Sequence, residues 1–134
     1  MEKEFIPYEQ ALALKELGFD EPCFAIYGKS EGDLFKVHTD KFDAVNELHF
    51  IKAPTFSQAF RWFREKYRLH SKVDIQDVEL DLYLYEILEV KNGQYNNDLH
   101  LDMNFKSYEE AELECLKKLI EIVNKKENES NIIV

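Results

Sequence analysis

Apolar and polar residues alternate along VDIQDVELDLYLYEILEV, residues 73 to 90, and again along LHLDMNF, residues 99 to 105. A period of two sends successive side chains to opposite faces of a strand. In the first stretch this puts Val78, Leu80, Leu82 and Leu84 on one face. Asp77, Glu79, Asp81, Tyr83 and Tyr85 fall on the other. In the second stretch Leu99, Leu101, Met103 and Phe105 point inward and His100, Asp102 and Asn104 outward. The apolar run PCFAIYG, 22 to 28, predicts a central strand. After a KSEGD turn, LFKVH makes its hairpin partner, and ELHFI, 47 to 51, a third short strand. The polar stretch 39 to 46 and the segment KNGQYNND predict loops.

Helices are predicted at three places. Pro7 to Leu17 is punctuated by Pro at its first turn and by Gly18 just past its end. A second helix starts at Thr55, whose hydroxyl can cap the amides that follow while Gln58 reaches back, a capping box. Phe56, Ala59, Phe60, Phe63 and Tyr67 form its apolar stripe, with Trp62 near the edge. The third begins at Ser107, boxed by Glu110, and lines up Tyr108, Ala111, Cys115, Leu116, Leu119, Ile122 and Val123. From Asn124 the chain turns polar, so residues 1–124 are expected as a single α+β domain and 125–134 as a flexible tail.

PTFSQAF and KSYEEAE open the second and third helices with the same phrase: hydroxyl, aromatic, polar, Gln or Glu, Ala. Helix starts are chemically alike, which is one account. A duplicated β-β-α unit following the N-terminal helix is the other. Both lead to an α+β two-layer sandwich, a mainly antiparallel sheet with helices on one face.

Composition narrows function more than it defines it. With 27 Asp and Glu against 17 Lys and Arg the net charge is −10, which favours solubility and disfavours nucleic acid and anionic membranes as partners. No signal peptide or membrane span is read, and a cytoplasmic protein is expected. Cys23 and Cys115 read as two buried thiols. No CxxC, HExxH, GxGxxG or phosphate-loop motif occurs, no serine has a nucleophile-elbow context, and no cofactor is implied.

Three blocks, FIPYEQALALKELGFDEPCFA, PTFSQAFRWFREKY and SYEEAELECLKKLIEIV, resemble those of a family of small uncharacterised proteins from bacterial genomes, prophages and phages. The resemblance covers about half the chain. It implies a mobile-element setting and carries over no functional residue.

Two candidate sites stand out. RWFREKYRLHSK, 61 to 72, is a basic stretch in an acidic chain; Arg61, Arg64 and Arg68 share one face of a helical wheel, with Trp62 and Lys66 opposite. Such a stripe can grip phosphates or a partner's carboxylates; a solvated helix face is the plainer account. Asp77, Glu79 and Asp81 form a carboxylate ladder that His100 and Asp102 could join to hold a divalent cation. The plainer account there is the solvent face of a one-sided sheet. His38, His49 and His70 are scattered, and Glu112 reads as a solvated carboxylate near a helix start. Tyr83 and Tyr85, on the ladder's face, are candidate partner contacts.

The expected function is therefore non-enzymatic: a small acidic accessory protein acting by protein–protein binding, with self-association as a homodimer across an open sheet face included. A metal-dependent hydrolase built on residues 77–81 and nucleic-acid binding through the Arg61 stripe are the alternatives.

Overall fold

The computed structural model describes residues 2–28, 34–36, 50–91 and 98–132. The turn expected at 29–33, the loop at 39–46, His38 and His49 lie outside them. The fold is α+β, and the chain divides into two compact units, Met1–Gln58 and Ala59–Val134, with two three-stranded antiparallel sheets among the described residues.

In the first unit, α1 spans Tyr8–Glu16. Pro7 precedes it at φ −64° and its carbonyl accepts from the Ala11 amide at 2.9 Å. The helix stops because Gly18 adopts φ 99°, a left-handed conformation that costs glycine little. The Phe19 amide then donates to Leu14 O at 2.9 Å and the Gly18 amide to Lys15 O at 3.0 Å, closing a Schellman motif. Ala11 and Leu14 are buried, and α1 contacts β3. The strands are β1 (Ala25–Gly28), β2 (Leu34–Lys36) and β3 (Phe50–Lys52), with β1 central as its apolar sequence requires. The Tyr27 hydroxyl donates to Ile6 O at 2.6 Å while the Ile6 amide donates to Pro54 O at 3.0 Å, pinning the N-terminal segment.

α2 spans Phe56–Tyr67. Its cap is half of the expected box. Thr55 Oγ1 accepts from the Gln58 amide at 3.2 Å, but the Gln58 side chain donates to Pro22 O at 2.8 Å instead of reaching back. Its buried side includes Ala59, Trp62 and Phe63. The helix ends at Arg68, which takes φ 58° and donates its amide to Arg64 O at 3.1 Å.

The second unit continues as a meander: β4 (Leu69–Asp77), β5 (Leu82–Glu89) and β6 (Asp98–Phe105), with β5 central. α3, Tyr108–Ile132, packs on all three strands. Ser107 Oγ caps it by accepting from the Glu110 amide at 3.0 Å; Glu110 Oε2 in turn accepts from the Lys106 amide at 3.0 Å. Ala111, Cys115, Leu116, Leu119 and Val123 are fully buried. Each buried Leu or Val of this stripe contributes about 1.5–3 kcal/mol. The 125–134 segment is not a tail as far as it is described: α3 continues to Ile132.

Two expectations about the sheet are corrected. Residues 78–81 are not strand but turn. Asp77 Oδ1 accepts from the amides of Glu79 and Leu80 at 3.0 and 3.1 Å, and Asp81 takes φ 54°, so local side-chain bonding breaks the alternation into a hairpin. The faces are also reversed. Tyr85 and Ile87 are buried, whereas Leu99, Leu101 and Met103 are exposed. Aromatic and β-branched side chains won the covered face of β5 over its leucines.

Each sheet is followed in the chain by a helix with a hydroxyl cap, which is the content of the repeated phrase. The strand orders nevertheless differ, β2-β1-β3 against β4-β5-β6. The first strand is central in one and the second in the other, so the two halves share element order and cap chemistry but not sheet topology.

Candidate functional site

The uncovered face of the β4–β5–β6 sheet is the most distinctive surface among the described residues. Register sets its side chains: Leu88 pairs with Leu99 and Glu86 with Leu101 between β5 and β6. Lys72 pairs with Glu86 and Asp74 with Leu84 between β4 and β5. Leu99, Leu101, Met103 and Leu88 are 59%, 50%, 41% and 36% exposed. Clustered leucines at that exposure on a regular strand are unusual for a surface with nothing to bind. The apolar side lies along β6 and the charged side along β4, where Lys72 Nζ and Asp74 Oδ2 pair at 3.3 Å. A hydrogen bond from the Ile75 amide, followed by Lys72, holds the Asp74 carboxyl below its ordinary range. The Asp74 carboxyl therefore stays ionised to lower pH than an unpartnered aspartate does.

The covered face carries a different feature. Glu89 is 4% exposed and is the sole buried charged residue of the described core. Its Oε1 is ion-paired with Lys126 from α3, and its Oε2 lies 3.8 Å from His100 Nε2 on β6. Around them a cleft of about 230 Å³ is lined by Lys91, Lys118, Glu121 and Lys125 among others. A buried carboxylate beside a lysine and an imidazole is an ion-paired tie between β5, β6 and α3. Sequence pattern missed it because Glu89 takes an apolar position in an otherwise apolar run, and Lys126 falls in the stretch expected as a tail.

The metal candidates are not brought together. Asp77 ends β4, where it is engaged by backbone amides, while Glu79 and Asp81 belong to the β4–β5 turn, and Asp81 Oδ1 accepts from the Tyr83 hydroxyl at 3.0 Å. His100 faces Glu89, and Asp102 of β6 pairs across to Tyr85 of β5. Among the described residues no group of three or more His, Cys, Asp or Glu is placed to hold a metal ion.

Of the partner-contact candidates, Arg61 and Arg64 are exposed on α2, but Arg68 lies beyond its end, so the three do not form one helical stripe. Trp62 and Tyr85 are corrected to interior positions, 6% and 5% exposed. Trp62 stands edge-on to Phe63 at 5.0 Å, with Lys66 Nζ over its ring at 5.0 Å. Tyr85 stacks on Phe105 at 5.7 Å, and burial pushes its hydroxyl up to about 12. Tyr83 meets Tyr108 edge-on at 6.2 Å, on the covered face. Burial likewise pushes the Cys115 thiol up to about 12, a value that removes it as a nucleophile near neutrality. Glu112 is half-buried, not fully solvated as expected, and burial followed by Glu109 raises its carboxyl.

No helix among the described residues is long and apolar enough to cross a membrane. No family model, no curated protein and no solved structure matches the chain.

Proposed function

We propose that this chain is a non-enzymatic accessory protein that works by protein–protein binding, and that its binding surface is the open face of the β4–β5–β6 sheet. The observation that carries this reading is the row Leu88, Leu99, Leu101 and Met103, left exposed while α3 covers the opposite face. Removing such a row from water is favourable at roughly 25 cal/mol per Å² of apolar surface. Small molecules favour enclosing clefts, so an open sheet face suits a protein surface better. The phage or prophage setting that the three sequence blocks imply is consistent with an accessory role. Expression in a phage-bearing bacterial host would test it.

A photo-crosslinking amino acid placed at position 101, with one at 121 on α3 as the control, tests the surface directly. Crosslinks to protein at 101 that are absent at 121, and that Met103→Lys abolishes, are the expected result. Equal labelling at both positions, or none at either, would overturn the reading.

A further inference from the structure

We infer that the occupant of the open sheet face is a second copy of this chain, packed face to face about a two-fold axis that crosses the strands between Lys72 and Asp74. The inference rests on the binding-surface reading above and names its partner.

Charge is the first argument. The chain carries −10, so two copies repel through most of their surface. The open face carries little of that charge: its described strand charges are Lys72, Asp74 and Glu86, with an apolar row beside them.

Self-complementarity is the second. A closed two-fold interface must match a patch to itself. Lys72 and Asp74 are two residues apart on β4 and share a face. A two-fold axis lying between the sheets, perpendicular to the strands and midway between these residues, lays β4 antiparallel over β4 and β6 over β6. Lys72 then meets Asp74 of the second copy, twice. At the same level on β6, Leu101 meets Met103, also twice. An axis running along the strands would instead lay the leucines over the charged edge, and so is disfavoured.

Area sets the strength. Eight residues at about 3.3 Å by three strands at about 4.8 Å give a face of roughly 400 Å². That is about half of what each partner contributes to a standard stable complex, so the association is reversible. Because apolar contact drives it and like net charge opposes it, added salt strengthens it.

Sedimentation equilibrium from about 10 µM to 1 mM tests the inference in the range where a small interface acts. A monomer–dimer equilibrium strengthened by salt is expected. Leu101→Lys weakens it at least tenfold. Lys72→Asp and Asp74→Lys each weaken it several-fold, whereas the double exchange in one chain restores it, because complementarity about the axis returns. A monomer at every concentration, a dimer indifferent to Leu101→Lys, or a double exchange no better than the singles would overturn the inference. If the chain is monomeric but position 101 still crosslinks a different protein, self-association fails and the binding surface stands. If no crosslink forms at all, both fail.

Discussion

Gln76 and Asn104 hold each other by two hydrogen bonds: the Gln76 amide donates to Asn104 Oδ1 at 2.9 Å, and the Asn104 backbone amide donates to Gln76 Oε1 at 2.7 Å. They come from β4 and β6, which flank β5 on opposite sides. Each sits where its strand's register with β5 shifts, between Ile75 and Asp77 and between Tyr83 and Tyr85. Asn104 is itself at φ 72°. The two bulges are thus joined over the start of the central strand.

Gln76→Ala removes both bonds and is expected to cost about 1–2 kcal/mol in urea unfolding. Asn104→Gly keeps the backbone donor and suits the left-handed conformation, so it costs less. Asn104→Val, which must force a β-branched residue to positive φ, costs more than either. The reverse order would show that the tie does not govern the bulge.

Arg68 occupies the left-handed position that ends α2 at φ 58°. Glycine takes this conformation without strain, and the backbone amide that bonds Arg64 O is unaffected. Arg68→Gly is expected to stabilise the protein by about 0.5–1 kcal/mol, visible as a higher melting temperature. A lower melting temperature would mean that the arginine side chain holds the corner together.

The pair Glu89–Lys126 predicts a coupling. Lys126→Met removes the ion-pair partner of the buried Glu89 carboxylate, a loss of about 1–3 kcal/mol. Glu89→Leu combined with Lys126→Met removes both charges together and should recover much of that loss. A double-mutant cycle read by urea unfolding gives the interaction; additive losses would show that the two side chains do not communicate.

Glu112 supplies a pH dependence. Its carboxyl is raised by burial and by Glu109, so the folded chain ionises it less readily than the unfolded chain does. The folded state then holds more protons across that interval, and stability falls as pH rises from the ordinary glutamate range through the raised value. Glu112→Gln is expected to raise the melting temperature at pH 7, with the gain fading to nothing by about pH 3, below the ordinary value near 4.3. A gain that stays constant with pH would assign it to packing and not to ionisation.

Local chemistry was legible in the chain. Gly18, Thr55 and Ser107 mark helix ends because a cap needs only its own few residues, and all three do so in the structure. The apolar stripe of α3 was legible for the same reason. The phase of the sheet was not, since β5 is apolar on both faces. Tyr85 and Ile87 compete with Leu84 and Leu88, and only packing against α3 decides between them. The carboxylate ladder failed because Asp77 turns the backbone with its own side chain, a local bond that a period-two reading does not see. Glu89 and Lys126 are 37 residues apart by their numbers, and nothing short of the tertiary fold joins them.

The meander order of β4, β5 and β6 has a kinetic consequence. Every pairing in that sheet joins strands adjacent in the chain, with α3 next in line, so little loop entropy must be overcome before contacts form. β1 differs, because its pairing with β3 must close the interval between Gly28 and Phe50. Amides of β5 should accordingly gain protection before those of β1 in pulsed hydrogen exchange during refolding. On the ribosome, the later-made of these two units would then be the one that assembles faster.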